Sequence, residues 1–209
     1  TSHARYKLWV KDKFVVFSPE PFIQIEGNKI ASFPMKGTID AGLPKAREKI
    51  LGDEKEMAEH ATIVDLIRND MSIHASNVRV ERFRYVDEIK TNSKHLLQVS
   101  SQIKGQLPIG FENRLGEIIY SLLPAGSISG APKRKTLEII SETECYDRGF
   151  YTGVGGIYDG KNFDSAVLIR YIEQENEKLT YKSGGGIHYL SKAEEEYQEM
   201  IDKLYVPIH

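Results

Sequence analysis

Apolar and polar positions change rhythm several times along the chain, and each rhythm predicts a different element. Tyr6, Leu8 and Val10 alternate, Phe14-Val15-Val16-Phe17 forms a compact apolar block, and Phe22, Ile23 and Ile25 lead on to a further apolar stretch at 30–33. These read as short strands, separated by Asp12-Lys13, Ser18-Pro19-Glu20-Pro21 and Gly27-Asn28. Over 53–71 the period becomes helical, with Met57, Ala61 and Val64, flanked by Leu66 and Ile67, as the expected buried side. Val78, Val80, Phe83 and Tyr85 then suggest a strand, and 87–105 a longer one with His95, Leu97, Val99, Ser101 and Ile103 on one side. Helices are expected over 111–123, where Leu115, Ile118, Ile119 and Leu122 point inward, and over 131–142. Strands follow at 154–158, 163–171 and 179–183, with Asp159-Gly160 and Glu175-Asn176 as hairpin turns. Ser191 with Glu194 reads as the capping box of a last helix, whose inward stripe is Tyr197, Met200, Ile201 and Leu204.

The chain has 209 residues, enough for one large domain or two small ones, and no internal repeat divides it. A formal net charge of −2 offers no basic excess for nucleic acid. Cys145 is the only cysteine, which rules out an intrachain disulfide and favours a reducing, cytoplasmic setting. No apolar run reaches the length of a membrane span, and Thr1-Ser2-His3-Ala4 lacks the apolar core of a signal peptide.

Candidate chemistry is concentrated on two helices. Glu56 and Glu59 stand three residues apart on the first long helix, and Glu196 and Glu199 repeat that spacing on the last. Like charges at this spacing oppose the helix slightly, and two such pairs could face each other across one divalent cation, for which oxygen-only ligands suit Mg²⁺. On spacing alone, two solvated acidic faces remain the alternative. Glu20, between Pro19 and Pro21, is either a turn residue or a fixed acid or base; Lys36 reads as a solvated loop lysine. Residues 124–133 (Pro-Ala-Gly-Ser-Ile-Ser-Gly-Ala-Pro-Lys) precede a helix start able to attract an anion, but do not match the nucleotide phosphate loop. Gly184-Gly185-Gly186 would let backbone approach a ligand closely.

Five stretches in order carry a family resemblance: Ser18-Pro19-Glu20, Pro34-Met35-Lys36-Gly37-Thr38, Ile63-Val64-Asp65-Leu66-Ile67-Arg68-Asn69-Asp70, Gly126-Ser127-Ile128-Ser129-Gly130-Ala131-Pro132-Lys133 and Ser183-Gly184-Gly185-Gly186-Ile187. Together they resemble the chorismate-binding region of anthranilate synthase component I, aminodeoxychorismate synthase component I, isochorismate synthase and salicylate synthase, over 6–205. The resemblance implies an α+β fold of two packed, mainly antiparallel sheets flanked by helices. It also implies that 1–209 is a single catalytic domain without the N-terminal segment that such relatives carry.

The same resemblance implies the site. Glu59 and Glu199 match direct Mg²⁺ ligands, and Glu56 and Glu196 match partners of metal-bound water. Gly184, Gly185, Gly186 and Lys203 would meet the ring carboxylate of chorismate, Tyr151 and Arg170 its enolpyruvyl carboxylate, and Gly37 and Thr38 its ring. Ser127 and His95 match further substrate neighbours. A dianion calls for such a set of metal, cations and N–H donors. Lys36 is the discriminating residue: aminodeoxychorismate synthases carry lysine there, whereas anthranilate and salicylate synthases tend to carry alanine. The implied reaction is amination at C4, with Lys36 as nucleophile in a partly deprotonated state and Glu20 as general acid. Ammonia would come from a separate glutamine amidotransferase subunit, since Cys145 lies in no nucleophile turn, and the product would serve p-aminobenzoate and folate synthesis. Anthranilate synthase component I is the sibling alternative, and a non-catalytic chorismate-binding remnant is the alternative from another class.

Overall fold

In a computed structural model, which describes residues 4–90, 95–187, 189 and 191–204, the chain forms two antiparallel sheets with helices laid against them. The smaller sheet has the order β1 (Tyr6–Val10), β2 (Phe14–Ser18), β10 (Tyr171–Glu175), β11 (Lys178–Lys182). The larger runs β5 (Met35–Asp40), β7 (His95–Gln106), β4 (Lys29–Ser32), β3 (Pro21–Glu26), β9 (Phe163–Val167), β8 (Val154–Tyr158), with β6 (Ser76–Lys90) also paired to β7.

Two places where the chain leaves one sheet for the other position the site. β2 passes into β3 through 18–21, and β9 passes into β10 through 168–170. These corners lie side by side: Phe17 N–H donates to Arg170 O at 3.2 Å and Val167 N–H to Glu20 O at 3.1 Å. The single strand expected over 163–171 is therefore two strands in different sheets, because Arg170 adopts φ 54°, a left-handed conformation that no strand accommodates.

The strand expected over 87–105 is also corrected. Lys90 and His95 are register partners, so 87–90 belong to β6 and the chain has reversed before β7; residues 91–94 lie outside the described residues. Residues 35–40, read as a loop, form strand β5, whose register with β7 shifts between Met35 and Thr38. Gly37 sits in that bulge with φ 80°, and the bulge is why alternation fails there.

α1 (Ala46–Gly52) precedes α2 (Glu54–Ser72), whose N-terminus Asp53 caps by accepting from Glu56 N–H at 2.9 Å. Met57 and Ala61 are exposed, so the inward line of α2 is only partly the one expected. Val64 is buried and Ile67 packs against the core, as expected, while His60 and Met71 complete the line in place of Met57 and Ala61. Val64, Ile67 and Met71 pack with Phe22, Ile25, Ile30 and Ile103 of the larger sheet and with Leu115, Ile118 and Leu122 of α3 (Leu115–Leu122). A second cluster, Phe14, Val16, Tyr151, Leu168 and Tyr171, underlies the smaller sheet. α4 (Gly126–Ser129) and α5 (Lys133–Thr143) follow α3.

α6 (Ala193–Asp202) differs from expectation twice. Ser191 does not cap it but donates to Glu196, and Tyr197, Ile201 and Leu204 are exposed rather than buried. Polar bonds hold this helix: Tyr181 OH donates to Lys203 O at 3.0 Å and Ser183 Oγ to Met200 O at 3.0 Å. Among the described residues no helix is long and apolar enough to cross a membrane.

Candidate active site

Two corners, one bulged strand and two helices bring most of the expected residues together. Glu20 sits on the first sheet-to-sheet corner, its backbone N–H bonded to the buried Ser18 Oγ at 3.1 Å. Its carboxylate accepts from Ser127 Oγ at 2.5 Å. Burial pushes the Glu20 carboxyl above the ordinary carboxylate range, against the Ser127 bond and the charges of Arg170 and Lys203, which pull it down. A carboxyl biased toward its protonated form suits proton donation.

Ser127 reaches Glu20 because its loop is fastened to α2. Any side chain at Gly126 would press on Ile67 and Leu66, the nearest atoms being 3.1 and 3.2 Å from its Cβ. Beyond the loop, Lys133 Nζ bonds Asp70 Oδ2 at 2.6 Å and Leu122 O at 3.3 Å. Two of the five motifs are thus joined to each other by a structural ion pair.

The β5 bulge aims Lys36 at the other chemistry. Lys36 Nζ lies 2.7 Å from Glu59 Oε2, both side chains half-buried. Burial alone would lower the lysine pKa, but the Glu59 bond and the charges of Glu56, Glu59 and Glu199 outweigh it, so the shift is upward. With only these side chains around it, the carboxylates favour the ammonium form of Lys36, and the partly deprotonated amine expected of a nucleophile calls for a further cation nearby. Glu56 is also set by the bulge, its Oε2 3.2 Å from where a Gly37 Cβ would stand.

Glu199 pairs with Lys203 at 2.5 Å, and Lys203 Nζ also reaches Gly184 O at 3.4 Å. Added side chains at Gly184 and Gly185 would meet Tyr151 OH at 3.0 Å and Glu196 Oε2 at 3.7 Å, so the glycine run lies against both. Burial and the neighbouring Tyr146 raise the Tyr151 phenol to about 12, against the lowering charges of Arg148 and Arg170. Gly186 stands at the open, exposed end of the run.

Glu59 is partnered by Lys36, Glu199 by Lys203 and Glu196 by Ser191, and among the described residues no three His, Cys, Asp or Glu side chains are gathered as a ready-made metal cage. The chemistry still fits Mg²⁺, because the donors are oxygens only and an ammonium already rests on each of Glu59 and Glu199.

His95 is not brought to this group. It opens β7 at the hairpin end, exposed, with Nε2 3.2 Å from Glu88 Oε2. The residue directly opposite Thr38 is Gln98, about 10 Å further along the strand. Paired residues share a face, so Gln98, and not His95, stands beside Thr38. Sequence reading also passed over His60, buried one residue beyond Glu59 with Nε2 2.6 Å from Ser101 Oγ. Burial, with the charges of Arg84 and Lys36, lowers its pKa to about 4, so it is neutral.

The family described as chorismate binding enzyme matches residues 1–209. An uncharacterized PabA-like protein of Haemophilus influenzae is 53% identical over 207 residues, covering 99% of this chain and 63% of the relative. A protein of the same description from Pasteurella multocida is 55% identical over 205 residues, covering 98% and 63%. The chain thus spans a little under two thirds of the length of these relatives. Anthranilate synthase component I from Streptococcus pneumoniae superimposes with a TM-score of 0.75 at 30% identity, covering 97% of this chain and 45% of that one. The α+β arrangement of two antiparallel sheets with flanking helices is the fold these enzymes share.

Proposed function

The chain belongs to the chorismate-binding enzyme family, and from there we propose that it catalyses Mg²⁺-dependent amination of chorismate at C4, giving 4-amino-4-deoxychorismate for p-aminobenzoate and folate synthesis. The observation that carries this reading is Lys36 itself: an amine on a strand bulge, 2.7 Å from Glu59 and under the charges of Glu56 and Glu199. A lysine so placed can attack a ring only after its ammonium is relieved of those carboxylates. Glu59 and Glu199, with Glu56 and Glu196 beside them, would hold Mg²⁺, which would supply positive charge to offset these carboxylates and that of the substrate.

The residues then divide the work. Gly184, Gly185, Gly186 and Lys203 receive one carboxylate of the substrate, and Arg170 and Tyr151 the other. Gly37 and Thr38 lie along the ring. Once Lys36 has given up its ammonium proton to solvent, its amine forms a bond to C2, the ring double bonds shift, and the C4–O bond breaks with a proton from Glu20, which releases water. Ammonia adds at C4, the double bonds shift back, the C2–N bond to Lys36 breaks to free the amine, and the new C4 ammonium returns a proton to the Glu20 carboxylate. Ser127 keeps Glu20 turned toward this work. Ammonia is supplied by a partner glutamine amidotransferase, and the setting is the cytoplasm.

A second reading, anthranilate formation, is favoured by the likeness to anthranilate synthase component I. Product analysis by chromatography and mass, after incubation with chorismate, Mg²⁺ and excess ammonium, separates them. Aminodeoxychorismate from wild type and none from Lys36→Ala is the expected result. Anthranilate overturns the first reading in favour of the second. Unchanged chorismate in the full-length polypeptide, with or without its amidotransferase, overturns both in favour of a binding remnant.

A further inference from the structure

We propose that Ser101 and His60 form a positioning pair that sets the approach of Lys36 to Glu59, an inference that rests on the roles given to those two residues above. Ser101 is fully buried in the middle of β7 and is bonded in three directions. Its N–H donates to Pro34 O at 2.9 Å, two residues before Lys36. Its Oγ lies 2.6 Å from His60 Nε2, one residue after Glu59. The same Oγ accepts from Arg84 N–H at 2.9 Å. One residue thus holds both the strand that carries Lys36 and the helical turn that carries Glu59.

Packing alone does not provide such a reference. The other inward residues of α2, Val64, Ile67 and Met71, are apolar, and apolar contacts are non-directional, so they resist separation of helix and sheet better than a small slide or roll. A hydrogen bond is directional and weakens steeply with misalignment. His60 occupies a position, 1% exposed, where a leucine would bury more apolar surface without a polar group to satisfy. What the imidazole adds is a fixed distance from helix to strand. Arg84 extends the node: it holds a left-handed φ of 46°, and its guanidinium donates to Leu51 O at 2.9 Å and Ile50 O at 3.0 Å. The end of α1, just ahead of the Glu56–Glu59 turn, is thereby tied to the same serine. The lysine–glutamate pair then meets because both backbones are referenced to one atom group, with the flexible lysine stem closing only the last gap.

The test uses Ser101→Ala and His60→Leu in the full-length polypeptide, with His60→Gln as the conservative variant whose amide can still meet Ser101. Acetylation of Lys36 by a water-soluble amine reagent, without metal or substrate, is timed by peptide mass spectrometry against the exposed Lys178. The Lys36-to-Lys178 rate ratio is expected to rise about threefold or more in Ser101→Ala and His60→Leu, as the ion pair loosens, and to return toward wild type in His60→Gln. In turnover, kcat is expected to fall about tenfold or more in the first two with KM within about twofold. An unchanged ratio in Ser101→Ala overturns the inference, whatever the loss in melting temperature, because the pair then only holds the fold; that variant decides the matter if His60→Leu does not fold. Should wild type make no product, the functional reading fails, while the acetylation ratio still decides this one.

Discussion

Lys133 Nζ lies 2.6 Å from Asp70 Oδ2, each side chain about four-fifths removed from solvent, and this pair fastens the start of α5 to the end of α2. Between the two anchors hangs the loop that delivers Ser127 to Glu20. Asp70→Ala leaves a largely buried ammonium with only the Leu122 carbonyl. A fully buried pair loses more, but with this residual exposure the expected cost is about 2 kcal/mol, read as a fall in melting temperature of about 4–8 °C. Lys133→Met, which removes the charge and keeps the stem, is expected to cost less, because the carboxylate of Asp70 can turn toward water. Equal losses in the two variants would show that the cost comes from losing the ion pair itself and not from the unpaired ammonium that Asp70→Ala leaves behind.

Ser127 donates to Glu20 and so stabilises the ionised carboxylate, opposing the upward push of burial. Ser127→Ala removes that opposition, and the Glu20 pKa rises further. If Glu20 acts as the acid, the limb of kcat/KM that falls with rising pH moves to higher pH in Ser127→Ala. Glu20→Gln loses that limb and about a hundredfold or more in rate. A pH–rate profile of both variants checks this, and an unmoved limb in Ser127→Ala removes Glu20 from the proton-transfer role.

How much of this was legible in sequence depends on the kind of signal. The hairpins around Asp12, Gly27 and Asn176 were, because turn residues announce themselves locally. The buried line of α2 was legible only in part, at Val64 and Ile67: His60 reads as polar, and its burial depends on a serine 41 residues away. β5 was missed because the Gly37 bulge that aims Lys36 also breaks the alternation by which strands are recognised. The five motifs lie on segments that the fold gathers around Glu20, Lys36 and Glu59, yet motif matching did not separate structural partners such as Asp70 and Lys133 from the residues proposed to meet the substrate. It also took His95 for a substrate neighbour, whereas strand register leaves His95 at the hairpin end and sets Gln98 beside Thr38. Register is a pairing between distant segments, and no local pattern encodes it.

Gly37 and Gly27 both hold left-handed backbone, at φ 80° and 58°, but only Gly37 faces the site: a Cβ there meets Glu56 Oε2 at 3.2 Å, whereas at Gly27 nothing lies within 4 Å. Each alanine substitution is expected to cost about 1 kcal/mol through the backbone. Gly37→Ala should in addition push Glu56 aside, cutting turnover and weakening any rise in melting temperature on adding Mg²⁺, while Gly27→Ala leaves both near wild type. Matched losses of turnover in the two would mean that backbone strain, and not displacement of Glu56, is responsible.

His60 also makes stability depend on pH. Its folded-state pKa of about 4 lies below the ordinary 6.5, from burial first and then the charges of Arg84 and Lys36. In the unfolded chain the imidazole takes a proton as pH falls below 6.5, while in the folded protein it stays neutral until about 4. Its contribution is therefore fully present above pH 6.5 and is lost progressively as pH falls toward 4. Between pH 7 and pH 5 the loss is expected to be about 2 kcal/mol. Carboxylates titrate mostly below this window, so the comparison is cleanest there. Urea unfolding of wild type and His60→Gln at pH 7, 6 and 5 measures it: the wild-type curve should fall more steeply, and the two should converge as the pH drops. Parallel curves would mean that another group carries the acid sensitivity and that His60 gains no proton on unfolding.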